Sequence, residues 1–325
     1  MSITSPVRGH PSDFLYPEII ERGFSPKSQK PHRDQFTKAE TEAYLKTFCA
    51  ELKKQFKRFR WDKNPCGKVP WRVGGLSHKG NPLVYWSYGT GKKTTLLLSG
   101  VHPDELTPIP IGFRLATHIL NNPKSVDKSL YKVVIAPLVN PDGFLRTHPS
   151  RTNSQGVDLN RNFLTFDWYR NAIRWWAQKK NHSRRHFPGF FPNTEPETKF
   201  QVKLIHKYLP DKIMSIHAPL GFLDYDGPGD RITKLPKNGP KPAKKLAHSI
   251  AKKSRNYRVV DYSYFPGSLG NFAGNELKIP TVTLELKTTN PQKVDDYWKQ
   301  FLPGMIQSIE YPFERFGQSG QEDRL

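Results

Sequence analysis

Apolar residues follow two rhythms along this chain. From Leu83 onward, short, nearly continuous apolar runs alternate with longer stretches in which apolar positions recur every three or four residues. The runs predict buried strands, the stretches predict helices, and their alternation predicts an α/β domain on a largely parallel sheet. Strands are expected at LVYWSYG (83–89), TTLLLSG (94–100), YKVVIAPLVN (131–140), KIMSIH (212–217) and TVTLELK (281–287). Helices are expected at 106–121, 195–209, 241–255, 268–278 and 292–311.

Residues 1–80 are polar and Pro-containing, with one helix signal, a candidate capping box of Thr37 and Glu40 ahead of AETEAYLKTFCAELKKQFKRF. They read as a partly helical N-terminal appendage to a main domain at 81–315, with 316–325 as a flexible tail. Thr194 and Glu197 suggest a second capping box, and Pro196 suits a first helical turn. Residues 164–193 are aromatic and basic without a strict period, which predicts an elaborated surface loop that shapes a cleft.

Composition narrows the classes. With 51 basic against 29 acidic side chains the formal charge is +22, which favours anionic partners or simply confers solubility. The Lys and Arg residues are scattered and fit no nucleic-acid recognition pattern, so nucleic acid is not expected as a partner. No apolar run approaches the roughly 20 residues a membrane-spanning helix needs. Cys49 and Cys66 imply no disulfide framework, and two readings stand for them: two free thiols in a reducing compartment, or one bridge between them. The N-terminal residues lack the apolar core of a secretory signal, so a cytoplasmic protein is expected unless a leader was removed; in that case the protein would be periplasmic or secreted.

Candidate chemistry gathers at predicted strand ends. TTLLLSG runs into Val101-His102-Pro103-Asp104-Glu105, and KIMSIH ends on His217, which places three metal-ligating side chains where α/β sheets hold their ligands. Two imidazoles and one carboxylate form a set that leaves zinc an open fourth position. Glu285 lies between Leu284 and Leu286 in an apolar strand, where an ionisable group is costly unless it has a partner or a task. It is the expected general base, with Lys287 as the partner on the plainer reading. Asn160-Arg161 offers a fork of donors suited to a carboxylate, the plainer reading being a surface salt bridge to Asp158 or Asp142.

With these residues in view, the chain resembles the zinc carboxypeptidase family, and within it the bacterial murein peptide amidase type. The resemblance spans about 83–290 and rests on GVHPDE (100–105), VNPDG (139–143), RTNSQGVDLNRNF (151–163), TEPET (194–198), SIHAPL (215–220), PGSLGNF (266–272) and VTLELK (282–287). It implies a mixed eight-stranded sheet flanked by helices, one zinc ion on His102, Glu105 and His217, and Glu285 as the catalytic carboxylate. It further implies that Arg151 polarises the scissile carbonyl and that Asn160 and Arg161 grip the substrate's terminal carboxylate. Tyr262 or Tyr264 matches the family's mobile tyrosine. Leu269 matches the residue that sets side-chain preference and, being apolar, gives no reason to expect cleavage of C-terminal Lys or Arg.

The implied substrate is a peptide or murein peptide, cut between γ-D-glutamate and meso-diaminopimelate. Asp224 and Asp226 would then meet the distal amine of diaminopimelate, although aspartates in a Gly-Pro loop also serve as turn formers. The positive charge suits an anionic cell-wall polymer as a further partner. Two alternatives stand beside this reading: a carboxypeptidase that trims protein C-termini, and a basic, non-catalytic wall-binding or nucleic-acid-binding domain.

Overall fold

The computed structural model describes residues 36–227 and 242–312, so the expected tail at 316–325 and the first part of the expected appendage lie outside the described residues. Eight strands form one sheet: β1 (Arg72–Leu76), β2 (Pro82–Tyr88), β3 (Lys93–Ser99), β4 (Tyr131–Ala136), β5 (Lys212–His217), β6 (Phe222–Asp226), β7 (Val259–Val260) and β8 (Thr281–Glu285). Their order is β1-β2-β4-β3-β5-β8-β6-β7. The central β4-β3-β5-β8 pairings are parallel, while β1/β2, β2/β4 and β6/β8 are antiparallel. The expected mixed eight-stranded sheet is therefore present.

Six helices of eight or more residues flank it among the described residues: α1 (Lys38–Phe59), α2 (Pro108–Asn121), α3 (Trp168–Lys180), α4 (Pro196–Tyr208), α5 (Pro242–Lys253) and α6 (Val294–Glu310). Strand side chains alternate between faces, so each apolar strand feeds two cores. Leu97, Ile135, Met214 and Leu284 pack with Leu52 of α1, Leu115 of α2, Ile250 of α5 and Phe301 of α6. On the opposite face Leu96, Leu98, Val134 and Ile213 pack with Phe200 and Leu204 of α4 and with Phe272. Phe272 belongs to a π-helix, Gly270–Glu276, where the sequence suggested an ordinary helix over 268–278.

Three further expectations need correction. The fold does not divide near residue 80. Phe48, Leu52 and Phe56 of α1 are buried in the main core and β1 extends the sheet, because α1 has an apolar stripe with nowhere else to be buried. The capping box that starts α1 is as expected: Thr37 N donates to Glu40 Oε2 at 2.7 Å and Glu40 N donates to Thr37 Oγ1 at 3.2 Å.

Of the two readings left open for the cysteines the bridge is the one present, with Cys49 of α1 and Cys66 bonded across a Cα separation of 5.9 Å. The box expected at Thr194 and Glu197 does not form: Glu195 precedes α4 and makes no side-chain cap bond, because Glu197 is drawn into a buried contact with Asn153. Within 164–193, the expected loop instead contains α3, whose Trp168 and Ala172 are buried one turn apart.

Candidate metal centre

β3, β5 and β8 are adjacent and parallel, so their carboxyl ends open side by side. After β3 the chain turns at Gly100, whose φ of 60° is left-handed and where a Cβ would sit 2.8 Å from Leu138. The next turn closes with Glu105 N donating to His102 O at 3.0 Å, which brings the two side chains back toward the sheet. β5 ends on His217, and the β5/β8 register pairs it with Glu285.

Donor atoms of His102, Glu105 and His217 lie within 4.8 Å of one another, and all three residues are buried. His102 Nδ1 is 2.9 Å from Glu105 Oε1, and His217 Nδ1 is 3.0 Å from Glu105 Oε2. Each ring is held from behind by its other nitrogen: His102 Nε2 lies 3.0 Å from Asp158 Oδ1 and His217 Nε2 lies 2.9 Å from Ser215 Oγ. With Nε2 donating to Asp158, the His102 Nδ1 lone pair faces inward, which is how metal-binding histidines are usually oriented. Burial alone would raise the Glu105 carboxyl, but His102 and His217 outweigh it and hold it well below the usual range. A compact, ionised His-His-Glu set fits zinc with a position left open.

Arg151 is buried beside this centre, where Nη1 donates to Glu105 Oε1 at 3.0 Å and Nε donates to Asp158 Oδ2 at 2.8 Å. Asp158 is fully buried; Arg151 and His102 hold its carboxyl well below its ordinary value against the opposing effect of burial. The surface salt bridge considered for Asp158 is thus a buried one, and its partner is Arg151 rather than Arg161.

The triad opens onto a cavity of about 240 Å3. Glu285 lines it, and burial, with Glu105's charge adding to it, pushes the Glu285 carboxyl up to about 7 against the pull of His217. Leu220 N donates to its Oε2 at 3.4 Å.

Asn160 and Arg161 line the same cavity. The Arg161 guanidinium lies over the Phe265 ring at 4.2 Å and the Trp175 ring at 5.1 Å, and burial lowers its pKa to about 10. Its Nε is buried without a hydrogen-bond partner among the described residues. Tyr262, Tyr264 and Leu269 also line the cavity, and Leu269 N donates to Asn160 Oδ1 at 2.8 Å.

Asp224 and Asp226 project from β6 into the cavity wall rather than forming a turn. Gly270 leaves the space that Asp226 occupies, since a Cβ there would come within 1.9 Å of Asp226 Oδ2. Burial pushes the Asp224 carboxyl up to about 6, and burial followed by the charges of Asp224 and Asp261 raises Asp226 well above its ordinary value.

The cavity therefore gathers every site residue named from the sequence. Ser215 and His186 were not anticipated: Ser215 sits behind His217, and His186 Nδ1 lies 3.6 Å from Asp158 Oδ2. Ser215 stands two residues before His217 in the same strand, on the same face, and could have been found on that spacing.

Comparison with known proteins bears on this site. The zinc carboxypeptidase family model matches residues 72–304. Murein peptide amidase A of Escherichia coli (strain K12) is 31% identical over 153 residues, covering 46% of this chain and 60% of that protein. The chain thus spans less than two thirds of that relative's length. Murein peptide amidase A of Vibrio campbellii is 29% identical over 216 residues, covering 65% of this chain and 77% of that protein. Among solved structures, the murein-tripeptide amidase of Escherichia coli O157 superposes with a TM-score of 0.55 at 24% identity, covering 77% of this chain and 97% of that one. Bovine thrombin-activatable fibrinolysis inhibitor superposes with a TM-score of 0.62 at 16% identity, covering 82% of this chain and 95% of that one.

Proposed function

Because the chain belongs to the zinc carboxypeptidase family, and is therefore a zinc metallopeptidase, we propose that it hydrolyses the amide bond next to a residue with a free carboxylate, namely the γ-D-glutamyl-meso-diaminopimelate bond of murein peptides. The observation that carries the reading is the buried Arg161 guanidinium, whose Nε lacks a partner in the same cavity as Glu285 and the His102, Glu105, His217 set. A substrate carboxylate there would complete its hydrogen bonding and supply the missing counter-charge.

His102, Glu105 and His217 would hold one zinc ion, which when bound would supply Lewis acidity toward the scissile carbonyl and toward water. Glu285 accepts a proton from a water in the cavity as that water's oxygen bonds to the carbonyl carbon, and returns the proton to the leaving nitrogen as the C–N bond breaks. Its raised pKa matches that two-way role near neutral pH. Arg151 stands beside Glu105 to offset negative charge that develops on the carbonyl oxygen, held by Asp158 while it does so. Arg161 and Asn160 hold the terminal carboxylate and fix which bond is presented.

Diaminopimelate carries a second ammonium, and Asp224 with Asp226 supports this choice of substrate, since two buried carboxylates in the cavity wall favour a cationic group between them. The Cys49–Cys66 bond favours a working site in an oxidising compartment over the cytoplasmic expectation.

The test incubates purified protein with murein tripeptide and with ordinary peptides, with and without chelator, and identifies products by mass spectrometry. Chelator-sensitive release of diaminopimelate is expected. Shortening of ordinary peptides with the tripeptide left intact would replace this reading with C-terminal trimming, and no hydrolysis of either would remove the catalytic assignment.

A further inference from the structure

The start of α4 carries a second group of metal-ligating side chains, outside the lining of the catalytic cavity. Glu195 and Glu197 are both buried, and both accept from one donor, Asn153 Nδ2, at 2.7 and 3.1 Å. His78, on the turn between β1 and β2, places Nε2 at 2.9 Å from the same Glu195 oxygen. One donor atom from each of His78, Glu195 and Glu197 lies within 4.8 Å of the others, the same span that encloses His102, Glu105 and His217.

Two observations argue against a closed hydrogen-bond network. Glu197 is fully buried, yet its Oε1 has no hydrogen-bond partner among the described residues. Two buried carboxylates, with the charge of Asp142 felt at Glu197, face no Lys or Arg among their hydrogen-bond and ion-pair partners in the described residues. Buried charge of one sign without compensation is unfavourable, and a divalent cation is a compact way to neutralise it.

We propose that His78, Glu195 and Glu197 form a second metal site, selective for a divalent transition ion such as zinc. The imidazole argues against Ca2+ and Mg2+, which prefer all-oxygen surroundings, and suits zinc. His78 is exposed, so an ion has a route in and water can complete its coordination. The role of such an ion is positional. Asn153 Oδ1 accepts from Gln155 N and Val157 N, both at 3.1 Å, so the ligands grip the loop that holds Arg151 on one side and Asp158 on the other. An ion at His78, Glu195 and Glu197 would tie the β1–β2 turn and the start of α4 to that loop.

The experiment counts bound zinc. Untagged full-length protein is stripped with chelator, equilibrated with Zn2+ in the presence of a weak competing chelator, and assayed by mass spectrometry for zinc per chain. Two equivalents are expected for the unmodified protein and one for each of His78→Ala and His78→Asn, with unchanged near-ultraviolet circular dichroism. His102→Ala should also hold one, at the other centre. A single equivalent in the unmodified protein, or two retained by both His78 variants, overturns the proposal. Two retained by His102→Ala would instead count against the catalytic centre, so the two failures are distinguishable.

Discussion

Replacing Glu285 with Gln should cut turnover steeply and, in metal-free protein, stabilise the fold by an amount that grows with pH. Glu285 is pushed from an ordinary value of 4.5 up to about 7, chiefly by burial. A carboxyl raised in this way costs nothing below about pH 4.5, where folded and unfolded chains are both protonated. Between there and about pH 7 the unfolded chain gives up a proton that the folded chain keeps, so stability falls as pH rises, and above about 7 the penalty is constant. From the two values the penalty is about 1 kcal/mol at pH 5 and about 3 kcal/mol at pH 8.

The Gln variant escapes this penalty because it cannot ionise. Denaturant unfolding of chelated protein at pH 5 and pH 8 should therefore show the Gln variant gaining about 2 kcal/mol on the parent between the two conditions. With zinc restored, the same variant should lose about 100-fold or more in kcat. A stability difference that does not change with pH would show that Glu285 is not held protonated by its surroundings. Retained turnover would remove it as the base.

Further outcomes are expected at other positions. The double change Cys49→Ser and Cys66→Ser, which opens a loop of 17 residues, should cost about 3 kcal/mol in denaturant unfolding under non-reducing conditions. Asp158→Asn, which weakens the support of His102 and leaves Arg151 with Glu105 as its one remaining carboxylate partner among the described residues, should lower zinc affinity roughly 10–100-fold in competition with a chelator. Arg161→Ala should lower kcat/KM about 10–100-fold for a substrate with a free terminal carboxylate, while an amidated substrate, already poor, should change little.

The residues that were legible in the sequence are those whose local pattern matches their burial. β3 and β5 are buried along nearly their whole length and β8 carries a regular apolar face, so all three leave a clear strand pattern, and the residues at their ends could be placed without coordinates. β1 and β6 do not announce themselves in this way. RVGGL carries two glycines, and Gly74 is required because a Cβ there would meet the Phe200 ring at 2.6 Å. FLDYD carries Asp224 and Asp226, which face the cavity, so its polarity signals a site rather than solvent. β7 has only two residues and is too short to leave a pattern.

α3 escaped notice because few of its residues are buried, although Trp168 Nε1 donates to Arg161 O at 2.8 Å and fastens the helix to the site. The Cys49–Cys66 bond depends on the approach of α1 to the segment before β1, a distance that no local pattern encodes.

The pairing of β5 with β8 also has a bearing on errors in folding. Val282, Leu284 and Leu286 point into the main core, while Thr283 and Glu285 point into the cavity. If β8 were to settle one residue out of place, a carboxylate would be driven into the oily interior and leucines would be left facing water. Such a misfolded chain would be too unstable to persist. The greasy neighbours of Glu285 thus act as a proofreading device, coupling survival of the fold to correct placement of the proton acceptor.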